Sequence, residues 1–258
     1  VFARTLPAAL LLAPVVVARR QVGVILANLG WIAVFAVVEF GIPWYLMSTA
    51  ERHIDSSLTS LVVCAVPVVS VALARLRRTE EPIARRRLAG LGVGAVGVAL
   101  LVGLSVHGGS AVWVLMMLLV VVGYSVGPRI LAGPLSEVPG VAVVAGGTLL
   151  VALGWLPWSV AHWPARVGAE TVAAVATLAV VCTAGAFLVF FELVKEAGPT
   201  RSVVVTYLNT ALAVALGVVF LNEPLTASIL AGFPLVLVGS VLATAPTARA
   251  TSLTFDPA

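Results

Sequence analysis

Nine apolar stretches, near 4–18, 23–47, 57–74, 88–106, 111–128, 139–161, 171–194, 200–221 and 225–245, leave this chain few ways to fold. Most approach the ~20 residues that a helix needs to cross ~30 Å of hydrocarbon. Inside lipid the backbone must satisfy its own hydrogen bonds, which only helices and closed barrels achieve. The stretches are runs of Leu, Val, Ala and Gly without the ten-residue alternation of barrel strands, so the expected fold is all-α, a polytopic bundle of membrane-crossing helices. A mean hydropathy of +1.14 and a charged content of 10%, against about 25% in soluble domains, exclude a soluble globular domain. No cleavable signal peptide is recognisable.

The chain also repeats itself. Glu81-Pro82, five residues, Leu88-Ala89-Gly90, six residues and Gly97 recur 142 positions on as Glu223-Pro224, Leu230-Ala231-Gly232 and Gly239. Apolar residues match by chance in such a background, but a Glu-Pro step with two glycines in register does not. The same offset lays 171–195 on 29–53 and 141–158 on the opening run, whereas 111–128 lands before residue 1. The expected organisation is therefore a first repeat at 1–106 lacking its first helix, a second at 111–246, and a tail at 247–258. Nine helices of a ten-helix fold are read here, and since Val1 is not methionine, the chain reads as N-terminally incomplete. Five helices per repeat, an odd number, set the two halves in opposite orientations, an architecture of secondary transporters with a site near the midplane between the repeats.

With the missing helix restored and its N-terminus inside, twelve of the fifteen basic residues fall on the cytoplasmic side, and only Arg4, Arg52 and Arg166 fall outside. Such a bias orients a polytopic protein and explains the net charge without nucleic acid. The cluster from Arg75 to Arg87 is read as topology plus attraction to anionic headgroups. Trp44, Trp113, Trp155, Trp158 and Trp163 sit near outer helix ends and read as an interfacial belt. The acids of the two Glu-Pro steps read as helix caps.

Glu39 stands apart because it lies in mid-span. A carboxylate there carries an insertion cost of roughly 2.5–3.5 kcal/mol, so it is expected to face a cavity or a partner. Pro43 follows four residues later and removes the helical partner of the Glu39 carbonyl. Pro67 interrupts the next segment in the same way. Glu192, with Lys195 and Glu196 beyond it, reads as a snorkelling acid with a local ion pair. Tyr207, Asn209 and Thr210 form a polar patch in an apolar helix, which either bridges helices or lines a cavity. Tyr124 is a weaker cavity candidate, and Phe187, Phe190 and Phe191 read as lipid or packing contacts.

These residues resemble the EamA-like permeases of the drug/metabolite transporter superfamily. The resemblance rests on Ala50 to Pro67 (AERHIDSSLTSLVVCAVP), on the doubled Glu-Pro…Leu-Ala-Gly…Gly block, and on the run from Thr183 to Glu223. It implies a ten-helix inverted-repeat carrier of amino acids, metabolites or drugs, often an exporter. The chain departs from that pattern in its absent first helix and in Asn209-Thr210, where the family has a proline after Tyr-Leu.

The expected function is secondary transport of a small organic solute across the plasma membrane by alternating access, with Glu39 as coupling acid or as partner to a cationic substrate group and Tyr207, Asn209 and Thr210 as orienting groups. Its partners are that solute and the bilayer, with no nucleic acid, no cofactor and no metal site. Two other readings compete. Gly123-Tyr124-Ser125-Val126-Gly127 matches the G-x-S-x-G nucleophile motif and His162 offers a base, as in an intramembrane serine protease. The expected topology puts that serine and histidine at opposite membrane faces, and the motif also reads as Gly-xxx-Gly packing. The other reading is a non-transporting scaffold whose Gly-rich faces make homo-oligomer contacts. Cys64 and Cys182 are isolated in apolar segments and read as small hydrophobes. The dispersed His53, His107 and His162 and the absence of a Walker loop argue against ATP-driven pumping.

Overall fold

The computed structural model describes residues 1–76, 85–105, 111–190, 204–222 and 226–244, which are helical with short connections and contain no strand. In chain order the helices are α1 (Phe2–Ala18), α2 (Val22–Ala27), α3 (Leu29–Phe35), α4 (Ile42–Ala50), α5 (Ser56–Val63), α6 (Val66–Leu76), α7 (Arg85–Ser105), α8 (Ala111–Ala132), α9 (Gly140–Ala161), α10 (Ala169–Ala179), α11 (Val204–Leu221) and α12 (Ala227–Thr244). Two six-residue π-helical turns interrupt this series, π1 at Ala36–Gly41 and π2 at Val180–Gly185. The described helices lie on the apolar stretches of the sequence. Four helical spans, Leu29–Ala50, Ala111–Ala132, Gly140–Ala161 and Ala169–Phe190, are each 22 residues long, and that length and composition suffice to cross a membrane.

The π turns have local causes. Pro43 has no N–H and its ring excludes a carbonyl in the turn before it. The chain therefore widens at π1 and restarts as α4 with Pro43 in its first turn, where no donor is required. At π2 there is no proline, but the Thr183 hydroxyl donates to the Leu178 carbonyl five residues back at 2.8 Å, filling an acceptor that the widened turn exposes. Between α5 and α6 the chain turns at Cys64–Ala65, just before Pro67. The Cys64 carbonyl there accepts from Ser240 Oγ of α12 at 3.3 Å, so the polar group freed by the break is satisfied away from lipid.

One core cluster joins α1, α3, π1 and α9 through Leu12, Val16, Ile32, Phe35, Phe40 and Val143. A second joins α5 to α8 through Leu58, Val62, Met117, Val120 and Val121. The closest approach of all is between α7 and α12, where backbones touch. A Cβ on Gly239 would lie 2.8 Å from the Gly90 carbonyl and closer still to the backbone of Gly94, and one on Gly97 would lie 2.7 Å from the Val236 nitrogen. Gly97 and Gly239 are the glycines paired by the 142-residue repeat, and positions 94 and 236 are the same distance apart. The contact is thus self-complementary in position, each repeat offering equivalent positions to the other, as at an isologous two-fold interface.

Candidate functional site

Glu39 is the eleventh of the 22 residues in the span Leu29–Ala50, halfway along a rod of ~33 Å. It lies inside π1, and π turns within helices often accompany functional positions. Helix α8 is pressed against it through two glycines. A Cβ on Gly127 would fall 2.7 Å from the Glu39 Cδ, and one on Gly123 would fall 2.6 Å from the Val38 carbonyl and 3.1 Å from the Pro43 ring. The carboxyl oxygen Oε2 is buried and, among the described residues, has no hydrogen-bond partner. A half-buried carboxyl group with an unsatisfied oxygen is costly to keep.

Toward the Glu51 end of the same rod, four helices converge on polar side chains. Tyr124 of α8 lies in electrostatic range of Glu39 and beside the Trp44 indole. The Arg4 guanidinium lies over the Trp44 ring with Cζ 3.9 Å from the ring centroid, an arrangement favoured by the ring quadrupole. Arg4 Nε also donates to Thr183 Oγ1 at 2.9 Å. Behind Trp44 its ring packs on Phe40, centroids 4.9 Å apart. Arg4, Trp44, Tyr124 and Thr183 therefore form one linked constellation that ends at Glu39. On the other side of Glu39, one residue from Gly127, a cavity of about 200 Å³ is lined by Trp31, Leu73, Val126, Arg129, Ile130 and Pro134.

The structure corrects one sequence expectation. Trp44, read as a belt residue, is only 5% exposed, whereas Trp158 and Trp163 stand 58% exposed at the surface. Arg4, counted among the external basic residues, lies in the first turn of α1 with its side chain turned inward onto Trp44. Arg4 and Thr183 were missed as site residues because they meet across 179 positions. The one available signal was a guanidinium set inside an apolar run.

Of the other candidates, Asn209 is exposed on α11, while the side chains of Tyr207 and Thr210 and the whole of Glu192 and Phe191 lie outside the described residues. Phe187 packs edge-on against Phe40 at 5.5 Å, and Phe190 is partly exposed. Ser125 is buried and donates to the Val121 carbonyl at 2.7 Å and lies 3.2 Å from the Val66 carbonyl. His162, at the exposed end of α9, stacks on Trp158 at 3.7 Å. Gly123 and Gly127 serve as the contact face toward Pro43 and Glu39. Ser125→Ala is accordingly expected to lower stability by about 1 kcal/mol, the worth of one hydrogen bond, and to leave activity unchanged. Thermal unfolding and a transport assay of the same preparation check this, and loss of activity in a fully folded variant would restore the serine-nucleophile reading. Among the described residues no group of three His, Cys, Asp or Glu side chains is placed to hold a metal.

The profile of the EamA-like transporter family matches residues 1–103 and again residues 111–245. The chain belongs to the EamA-like transporter family. It is thus a multi-pass membrane protein of a transporter family within the drug/metabolite superfamily, whose members act on small molecules from within the lipid. A solved crystal structure of another protein superposes on it with a TM-score of 0.58 at 21% identity, over 94% of this chain and 86% of that one, which supports the fold alone. No curated protein matches it. For an EamA-like protein the position of the constellation is informative. Arg4, Glu39 and Trp44 come from the first matched segment and Tyr124 and Thr183 from the second, so the site lies where the two copies meet.

Proposed function

We propose that this protein is a secondary carrier that exports a small organic metabolite, amino acid or drug across the plasma membrane by alternating access between two inverted repeats. The observation that carries the reading is Glu39, a carboxyl oxygen at mid-span, unpartnered among the described residues and held between helices of both family segments. Glu39 serves as the coupling acid, taking up and releasing a proton as the site opens to one side and then the other. Among the described residues the titratable group that interacts with it is Tyr124. The self-complementary α7–α12 crossing is what two repeats related by a two-fold axis would make. Polar side chains around Trp44 and a cavity beside Gly127 both lie near Glu39. Tyr207, Asn209 and Thr210 on α11 are assigned to orienting the solute.

Counterflow in proteoliposomes tests the reading. Vesicles loaded with unlabelled metabolite mixtures are expected to accumulate at least one labelled member against its gradient, saturably and only when the folded protein is present. A metabolite-wide comparison of cells with and without the gene identifies the solute. If folded protein gives no counterflow with any solute that the comparison selects, the scaffold reading replaces this one.

A further inference from the structure

Arg4 is anchored on two of its surfaces and open on a third. Nε is engaged by Thr183 Oγ1 at 2.9 Å, and one face of the guanidinium rests on Trp44. Its two terminal nitrogens make no hydrogen bond to any described residue. A guanidinium carries five donors in a rigid fork whose outer edge matches a planar carboxylate in a bidentate pair. Fixing Nε and the ring plane removes much of the rotamer freedom that such a pair would otherwise cost. The groups in electrostatic range of Arg4 are Tyr124, Cys182, Glu51 and the Val1 amino group, and Glu51 is the one carboxylate among them.

We infer that the anchored Arg4 fork is an anion-recognition point of the transport site, and that the carried solute bears a single carboxylate. The inference deepens the transporter reading and rests on it. One guanidinium matches one negative charge, and a doubly charged phosphate would meet stronger repulsion from Glu51 and Glu39 than a carboxylate does. Five residues of helix, ~7.5 Å of rise, separate Trp44 from Glu39. A ligand held at Arg4 by its carboxylate therefore needs a body of several carbons to reach the midplane acid, and that body would pass along Tyr124. Because Arg4 and Thr183 belong to different family segments, the anion would contact the joint between the repeats.

Size-matched probes test this on the full chain in detergent. Benzoate, benzamide, benzylammonium and inorganic phosphate are titrated while the unfolding midpoint is followed, and labelled benzoate is then used in counterflow. Hydrogen bonds to a charged group are worth enough to favour benzoate over benzamide by about tenfold or more on the unaltered protein. Arg4→Gln is expected to erase that preference, and Arg4→Lys to keep a weak attraction while losing most of it. Thr183→Val, which frees Nε, is expected to weaken benzoate a few-fold. If Arg4→Gln does not fold, the comparison of Arg4→Lys with the unaltered chain decides. Equal binding of benzoate and benzamide, a preference for phosphate or benzylammonium, or an undiminished benzoate preference in Arg4→Lys and Arg4→Gln would overturn the inference. Counterflow of a neutral or cationic solute without benzoate binding would sink it while leaving the carrier reading intact. Arg4-dependent benzoate binding with no counterflow of any solute would do the reverse.

Discussion

Proteoliposomes carrying Glu39→Gln are expected to lose gradient-driven uptake entirely, down to the level of protein-free vesicles, while still exchanging labelled for unlabelled solute at equal concentrations. The substitution replaces one oxygen by a nitrogen and keeps the shape, so the Gly127 contact and the π turn have no reason to change. What it removes is the ability to gain and lose a proton at the centre of the span. Substrate movement through two alternating openings does not itself need that proton, which is why exchange should persist. Energetic coupling does need it, because a gradient can shift the conformational equilibrium only through a group that binds the proton differently in the two states. Stability is expected to change little, since the amide keeps the shape of the carboxyl group and is itself a polar group with a similar need for partners. The decisive measurement is initial uptake against external pH, with and without an imposed proton gradient. Retention of driven uptake with the original pH profile would end the coupling assignment.

The sequence and the structure divide their contributions along a physical line. Which segments cross the bilayer depends on transfer free energy summed over ~20 residues, a local and additive property. Among the described residues the apolar stretches accordingly reappear as helices. The duplication was legible for a similar reason, since a Glu-Pro step and spaced glycines keep their register. The facing of a side chain is a different matter, because apolar helices in lipid show almost no difference between their sides. Trp44 is the clearest case. Its place near a helix end suggested the interface, yet it is buried on Phe40 beneath Arg4. Thr183 gave no signal at all, because threonine is unremarkable in an apolar helix until one sees that it closes π2 and meets an arginine 179 residues away. The doubling of the π turn was equally hidden, since only the first has a proline behind it.

Gly239→Leu should cost more stability than any other single change considered. Helices in lipid gain nothing from hiding apolar surface from one another and associate through close van der Waals contact between small residues. At Gly239 the space for a side chain is already occupied by backbone, the Gly90 carbonyl at 2.8 Å and the Gly94 main chain beside it. Backbone cannot rotate away as a flexible side chain can, so relief requires α7 and α12 to part. The expected loss lies at or above ~3 kcal/mol, the upper range for overpacking, or more than about a hundredfold in the folded-to-unfolded ratio. Gly97→Leu should do the same, since it would drive a side chain onto the Val236 nitrogen. Gly30→Ala is the matched control. Nothing lies within 4 Å of its Cβ position, and alanine should stabilise α3 by up to about 1 kcal/mol. Midpoints of denaturation in mild detergent, read beside monodispersity on size exclusion, give the comparison. If Gly239→Leu unfolds like the unaltered protein, the crossing is not the contact described. If it fails as expected, the repeated glycines need no role in transport to account for their shared register. Two copies of one helix that touch across a two-fold axis must each bring the gap that admits the other.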